Sequence, residues 1–152
     1  MLILRVDDCG WTPEKVQDKG LAYFQEWRKA IGLDQLPFPV YLGFIPETVG
    51  PDEAAWLRDN LSPQEHISVH GWDHRRGARV TATEMTVGRH KFKRNDDTLP
   101  ETYIAPFNDY DFRTLRDWKE AGGSVFFGGF AKDTNWGDLP TMREGVLHLP
   151  AI

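Results

Sequence analysis

The chain opens with Leu2-Ile3-Leu4-Arg5-Val6-Asp7-Asp8-Cys9-Gly10. The apolar run over residues 2–7 reads as a strand, and it ends abruptly in two adjacent carboxylates and a glycine. Further along, Ile67-Ser68-Val69 is a second apolar run, and it ends in His70-Gly71-Trp72-Asp73-His74. Two strands that terminate in metal-ligating side chains suggest strand ends that meet in space.

The segments around them alternate between strand and helix patterns. Thr12 reads as an N-cap with Pro13 at the first helical position, where its missing N–H costs nothing. Val16, Gly20, Phe24, Trp27 and Ile31 recur at helical spacing, and Gly32 stops that helix. A strand is expected over residues 38–44, a helix opening at Pro51 with Asp52 and Glu53 in its first turn, and a strand over 66–70. Residues 71–80 read as a loop. Thr81 and Glu84 have capping-box spacing for a helix reaching about Arg94. Thr102-Tyr103-Ile104-Ala105 is a strand stopped by Pro106, and Asn108 or Asp109 would cap the next helix. That helix carries Phe112, Leu115 and Trp118 on one side and stops at Gly122-Gly123. Strands over 124–127 and 146–149 complete the series.

This β-α order predicts an α/β fold: a parallel sheet with right-handed crossovers, open or curled into a distorted (β/α) barrel of about six strands. Six strands are fewer than a closed eight-stranded barrel needs, so the barrel is expected to be incomplete. No repeat, linker or low-complexity tract divides the 152 residues, which read as one domain. A net charge of −5 argues against a general nucleic-acid binder, and no apolar stretch approaches the ~20 residues that span a bilayer. No signal peptide is visible, and one cysteine fits a reducing compartment, so a cytoplasmic protein is expected. A barrel short of strands could cover an exposed edge by forming a homo-oligomer. The basic stretch of Arg75, Arg76, Arg79, Arg89, Lys91, Lys93 and Arg94 reads as a solvated face.

In parallel sheets, sites form at the carboxyl ends of strands. The Asp7-Asp8 pair, the His70/His74 pair and Pro106-Phe107-Asn108 all fall there. Histidines four apart at a strand exit can share a divalent metal, and one carboxylate would complete a three-ligand site with open positions. Such a donor set suits zinc first, with cobalt, nickel and iron as alternatives. Two adjacent carboxylates repel, and a cation bound by one of them resolves the conflict, leaving the other as a general base. Trp72 either floors a pocket or packs, and Cys9 reads as a small buried residue.

In order and spacing, Val6-Asp7-Asp8-Cys9-Gly10, His70-Gly71-Trp72-Asp73-His74 and Ile104-Ala105-Pro106-Phe107-Asn108 resemble three motifs of the polysaccharide deacetylase (NodB-homology) superfamily, metal-dependent deacetylases on a distorted (β/α) barrel. The resemblance implies Asp7 as catalytic base, with Asp8, His70 and His74 as metal ligands. It implies Pro106, Phe107 and Asn108 lining the groove, with the Phe107 backbone N–H helping to hold an oxyanion. The arginine that many members place two residues before the third motif's proline, where it orients the base, is Ile104 here. Asn108 stands where a glycine is usual. Asp133-Thr134-Asn135-Trp136 corresponds to a fourth motif, which makes Trp136 a substrate-binding candidate alongside Trp72. His148 is the only candidate for the general acid of the fifth, with a buried core histidine as its alternative reading. The implied function is hydrolysis of an acetyl group from an amino sugar or related amide or ester. The alternatives are a non-catalytic carbohydrate-binding relative and a metal hydrolase acting on a phosphoester or cyclic amide. The chain is then either a minimal or a truncated member.

Overall fold

A computed structural model describes residues 2–9, 20–74, 80–128 and 140–150. Seven strands form one sheet: β1 (Leu4–Cys9), β2 (Val40–Phe44), β3 (Glu65–Val69), β4 (Thr102–Ile104), β5 (Val125–Gly128), β6 (Thr141–Arg143) and β7 (Val146–Pro150). Their order is β1-β2-β3-β4-β5-β7-β6, parallel throughout except for the β6–β7 hairpin. Helices α1 (described from Gly20, Gly20–Ile31), α2 (Pro51–Asn60), α3 (Ala82–Lys91) and α4 (Phe112–Glu120) provide the crossovers. Each parallel strand is laid beside its predecessor, and right-handed crossovers repeated in one direction stack the helices on one face and curl the sheet toward the other.

Alternation along the strands separates these faces. Leu42, Phe44, Ile67, Val69, Tyr103, Phe126 and Val146 project into a core shared with Phe24 of α1, Leu57 of α2, Met85 of α3, and Leu115 and Trp118 of α4. The intervening residues, including Tyr41, Gly43, Ser68, Thr102, Ile104 and Phe127, face the inside of the curl. Tyr41 on β2 meets Phe127 on β5 with ring centroids 5.0 Å apart, although two strands lie between them in the sheet. A flat sheet would not allow that contact, so the sheet is a curled, open barrel. Among the described residues no pairing closes β6 onto β1.

Capping chemistry sets the helix starts. Thr81 Oγ1 accepts the Glu84 N–H at 3.2 Å and Glu84 Oε2 accepts the Thr81 N–H at 2.8 Å, the expected capping box. The helix it opens ends at Lys91 rather than near Arg94, because Phe92 turns into the core. The expected cap at Asn108 or Asp109 is corrected to Asp111, whose carboxylate accepts the Thr114 N–H at 2.9 Å. Pro106–Asn108 forms a single 3-10 turn with Phe107 and Asn108 at φ 54°, and helical backbone cannot resume until that turn is finished. Strand β6 was not expected. It is short and polar, and Glu144 and Gly145, at φ 48° and 75°, join it to β7 in the doubly left-handed turn that two-residue hairpins favour.

Glu65 and Arg89 are charged residues buried as struts. Arg28 of α1 forks onto Glu65 at the start of β3, with both N–O distances 2.7 Å and the Glu65 side chain wholly buried. Burial alone would raise the Glu65 carboxyl, but Arg28 and the Ser62 N–H hold it below the usual carboxylate range. Arg89, read from sequence as part of a solvated basic face, is 7% exposed. Its Nε donates to the Pro100 carbonyl at 2.6 Å, its Nη1 donates to Ala121, and its guanidinium lies 5.5 Å from the Trp118 ring centroid. Lys91 Nζ likewise donates to the Pro46 carbonyl, at 2.5 Å. Arg75, Arg76 and Arg79 of the same stretch, together with Thr12, Pro13 and Val16 of the first helix, lie outside the described residues.

Candidate metal centre

The carboxylates at the end of β1 are aimed by a break in strand register. Val6 pairs with Leu42 and Cys9 with Phe44, so Asp7 and Asp8 together oppose the single residue Gly43. This is a bulge, with Asp8 at φ 56° in the left-handed region that aspartate tolerates better than most residues. The bulge lets neighbouring residues that would alternate faces both serve the inside of the curl. Gly43 is needed beneath them: a Cβ there would lie 3.2 Å from Ile104 Cδ1, 3.3 Å from His70 Cβ and 3.3 Å from the Val6 carbonyl oxygen.

His70 continues β3 by donating its N–H to the Phe44 carbonyl at 2.9 Å. Its ring is 1% exposed, and Nδ1 lies 3.0 Å from the Ile104 carbonyl oxygen. A carbonyl can only accept, so Nδ1 carries a proton and Nε2 is the ring nitrogen aimed at the cluster. Gly71, at φ 70°, then turns the chain so that His74, itself at φ 57°, returns toward His70 with ring centroids 4.9 Å apart.

Asp8 Oδ1 is 3.1 Å from His70 Nε2 and 2.8 Å from His74 Nε2, and the ligand atoms of all three residues lie within 4.8 Å of one another. Bonds of ~2.1 Å to a shared cation set neighbouring donors ~3 Å apart, so the group fits a divalent ion. Its electrostatics suit the same role. The hydrogen bond from His70 lowers the Asp8 carboxyl below its ordinary value, aided by the His74 and Arg5 charges against the opposing effect of burial. Burial lowers the His74 imidazole despite the Asp8 charge. These shifts favour Asp8 as a carboxylate and His74 as a neutral imidazole, the forms that ligation requires.

Asp7 stands beside this cluster with separate partners. Arg5, two residues earlier on the same face of β1, donates from Nε to Asp7 Oδ1 at 2.7 Å and from Nη2 to Asp7 Oδ2 at 2.5 Å. The same Nη2 reaches Asn108 Oδ1 at 3.1 Å, bridging β1 to the turn after β4. Sequence reasoning missed Arg5 because it is embedded in an apolar run. The i, i+2 spacing to Asp7 was the signal, since a strand places such residues on one face.

The third motif closes over the second. A Cβ on Gly71 would lie 2.7 Å from Pro106 Cγ, so Pro106 packs directly on the glycine between the two histidines. Phe107, 51% exposed, sets its ring 4.6 Å from that of His74. Trp72 packs against the edge of the hydrophobic core, and its carbonyl accepts the Glu47 N–H at 3.0 Å. Cys9 is buried, its thiol pushed well up by desolvation, and it takes no part in the cluster. Trp136 and the rest of the expected fourth motif lie outside the described residues.

His148 is not brought to the cluster. It pairs in register with Phe126, on the sheet face that packs against helices, whereas His70 shares the inner face with Gly43 and Ile104. It is 2% exposed, and its Nε2 lies 2.7 Å from Tyr110 Oη.

No family model matches this sequence. No curated protein matches it either. Among solved structures, the fold is similar to that of a family 4 acetyl xylan esterase from Clostridium thermocellum in complex with a cobalt ion, with a TM-score of 0.54 at 18% sequence identity. The match covers 85% of this chain but 58% of the esterase chain, so this chain spans little more than half of that protein's length. The likeness is one of fold: a mostly parallel α/β sheet of the distorted-barrel kind.

Proposed function

We propose that this chain is a metal-dependent hydrolase that removes an acetyl group from a sugar, with Zn2+ as the resident cation and Asp8, His70 and His74 as its ligands. The observation that carries this reading is the convergence of those three side chains at strand ends, with a further carboxylate, Asp7, beside them. A divalent cation held there would supply Lewis-acid polarisation of an acyl carbonyl and favour deprotonation of water. Asp7, with its side chain 37% exposed, takes the proton from the attacking water on a carboxylate oxygen. The turn at Pro106, Phe107 and Asn108 lines the substrate side, with the Phe107 N–H as donor to the developing oxyanion. The fold likeness to an acetyl xylan esterase supports this substrate class.

The position of His148 bears on the bond that is cut. An amine leaves only after protonation, whereas the alkoxide of an ester leaves with far less assistance. With His148 on the helix-packed face of the sheet, the described residues favour an acetyl ester over an N-acetyl amide as substrate. The test is metal content and acetate release from O-acetylated xylan oligosaccharides, N-acetylated amino sugars and a phosphodiester panel, for wild type and His70→Ala. Stoichiometric metal and acetate release in wild type, both lost in His70→Ala, is the expected result. A wild-type protein that binds no divalent ion when supplied with one overturns the reading. Metal binding without turnover of any panel member leaves a carbohydrate-binding relative.

A further inference from the structure

We propose that Arg5 assigns the two adjacent aspartates their separate roles, holding Asp7 away from the cation so that Asp8 alone ligates it. This rests on the metal-site reading above. Neighbouring carboxylates at one strand end repel, and here each has its own set of partners. Asp8 faces the two imidazoles, while Asp7 is held by both nitrogens of the Arg5 fork, at 2.7 and 2.5 Å. Bidentate guanidinium–carboxylate pairs fix geometry as well as charge, which a lysine ammonium does not do.

Three further features make Arg5 a built clamp. Its side chain is only 14% exposed. Asn108 Oδ1 accepts from the same Nη2 at 3.1 Å, which ties the fork to the turn lining the groove. Nη1 is buried and, among the described residues, has no hydrogen-bond partner, so the guanidinium keeps a donor in reserve at the inner face. Arg5 thus acts through Asp7 as a positioning residue. Without it, both carboxylates would compete for one cation, and the group left to take a proton from water would no longer be fixed.

The test uses Co2+ alone as probe, read by its visible absorption and by calorimetric Kd, in wild type, Asp8→Asn, Arg5→Leu and Arg5→Leu/Asp8→Asn. Asp8→Asn is expected to weaken binding by on the order of a hundredfold, and adding Arg5→Leu to restore at least about tenfold, because the freed Asp7 takes the vacant place. Arg5→Leu by itself should alter the Co2+ spectrum, as a second carboxylate enters the shell. A folded double variant that binds no better than Asp8→Asn overturns the proposal. If Arg5→Leu does not fold, Arg5→Lys carries the same comparison, since it keeps the charge and loses the fork. With acetate release as a second readout, Arg5→Lys should lower kcat about tenfold to a hundredfold with KM nearly unchanged. A wild type that binds Co2+ but hydrolyses nothing removes the proposed activity and leaves the cobalt comparison to decide the role of Arg5.

Discussion

Gly71→Ala perturbs the point where the second and third motifs interlock. Gly71 has φ 70°, a conformation that costs an L-residue ~1–2 kcal/mol, and its new Cβ would meet Pro106 Cγ at 2.7 Å. Pro106 is a rigid ring, so the contact is relieved only by moving the turn, an overpacking cost of ~1–3 kcal/mol. The sum is roughly 2–5 kcal/mol, against the ~5–15 kcal/mol that stabilises a typical domain. For a chain of this size, a central value of ~3 kcal/mol lowers Tm by about 6–12 °C. Urea unfolding followed by tryptophan fluorescence, in excess chelator, separates this loss from metal affinity. Gly71→Ala/Pro106→Ala, analysed as a double-mutant cycle, should recover the steric share of the cost and keep the backbone share. A single variant within ~0.5 kcal/mol of wild type would refute both the left-handed backbone and the proline contact.

Two further predictions concern stability. Arg28→Ala leaves the Glu65 carboxylate buried without its cation, and urea unfolding should show a loss of about 3–5 kcal/mol, much of it regained in Arg28→Met/Glu65→Leu. In metal-free protein, burial lowers the imidazoles of His66, His74 and His148. The unfolded chain takes up protons at about pH 6.5, where the folded chain does not, so this stability is complete above that pH and is lost as pH falls from 6.5 toward the folded-state values. Urea midpoints measured between pH 7.5 and 5.5 should therefore decline, and His148→Gln should shallow the slope. A flat profile would refute the neutral buried imidazoles.

The site was legible where chemistry and pattern coincide. An apolar run ending in Asp7-Asp8 and another ending in His70 and His74 carry their own signal, since a strand end is where a parallel sheet exposes side chains to one pocket. The inward turn of both aspartates was foreseeable in kind, but the bulge opposite Gly43 depends on register with β2, which the sequence does not encode locally. Arg5 was obscured because its partner matters more than its position. Arg89 was misread for a similar reason: its burial comes from the carbonyls of Pro100 and Ala121, contributed by segments far along the chain. His148 lies in a strand with leucines on both sides of it, so composition could not say which face it takes. Strand register with Phe126 settles that.

Among the left-handed residues at the site, Phe107 is the costly one. Asp8, His74, Phe107 and Asn108 all have positive φ, and all lie at the motifs that build the cluster. Aspartate and asparagine adopt this region at modest cost, but a bulky aromatic does not, and strained backbone of this kind persists where the surrounding structure over-determines it. Phe107 is half exposed, so core burial does not compel its conformation, whereas its ring lies 4.6 Å from that of His74. The cost is therefore tied to holding an aromatic surface over a ligand histidine. Glycine normally destabilises regular structure by ~0.5–1 kcal/mol relative to alanine. At φ 54° the order should invert, because alanine retains a left-handed cost of ~1–2 kcal/mol that glycine escapes. Phe107→Gly should thus unfold at higher urea than Phe107→Ala, by about 0.5–1 kcal/mol. Both should release acetate more slowly than wild type, because both lack the ring. An alanine variant as stable as the glycine one would show that the turn carries no strain, and the ring would then be an ordinary surface aromatic.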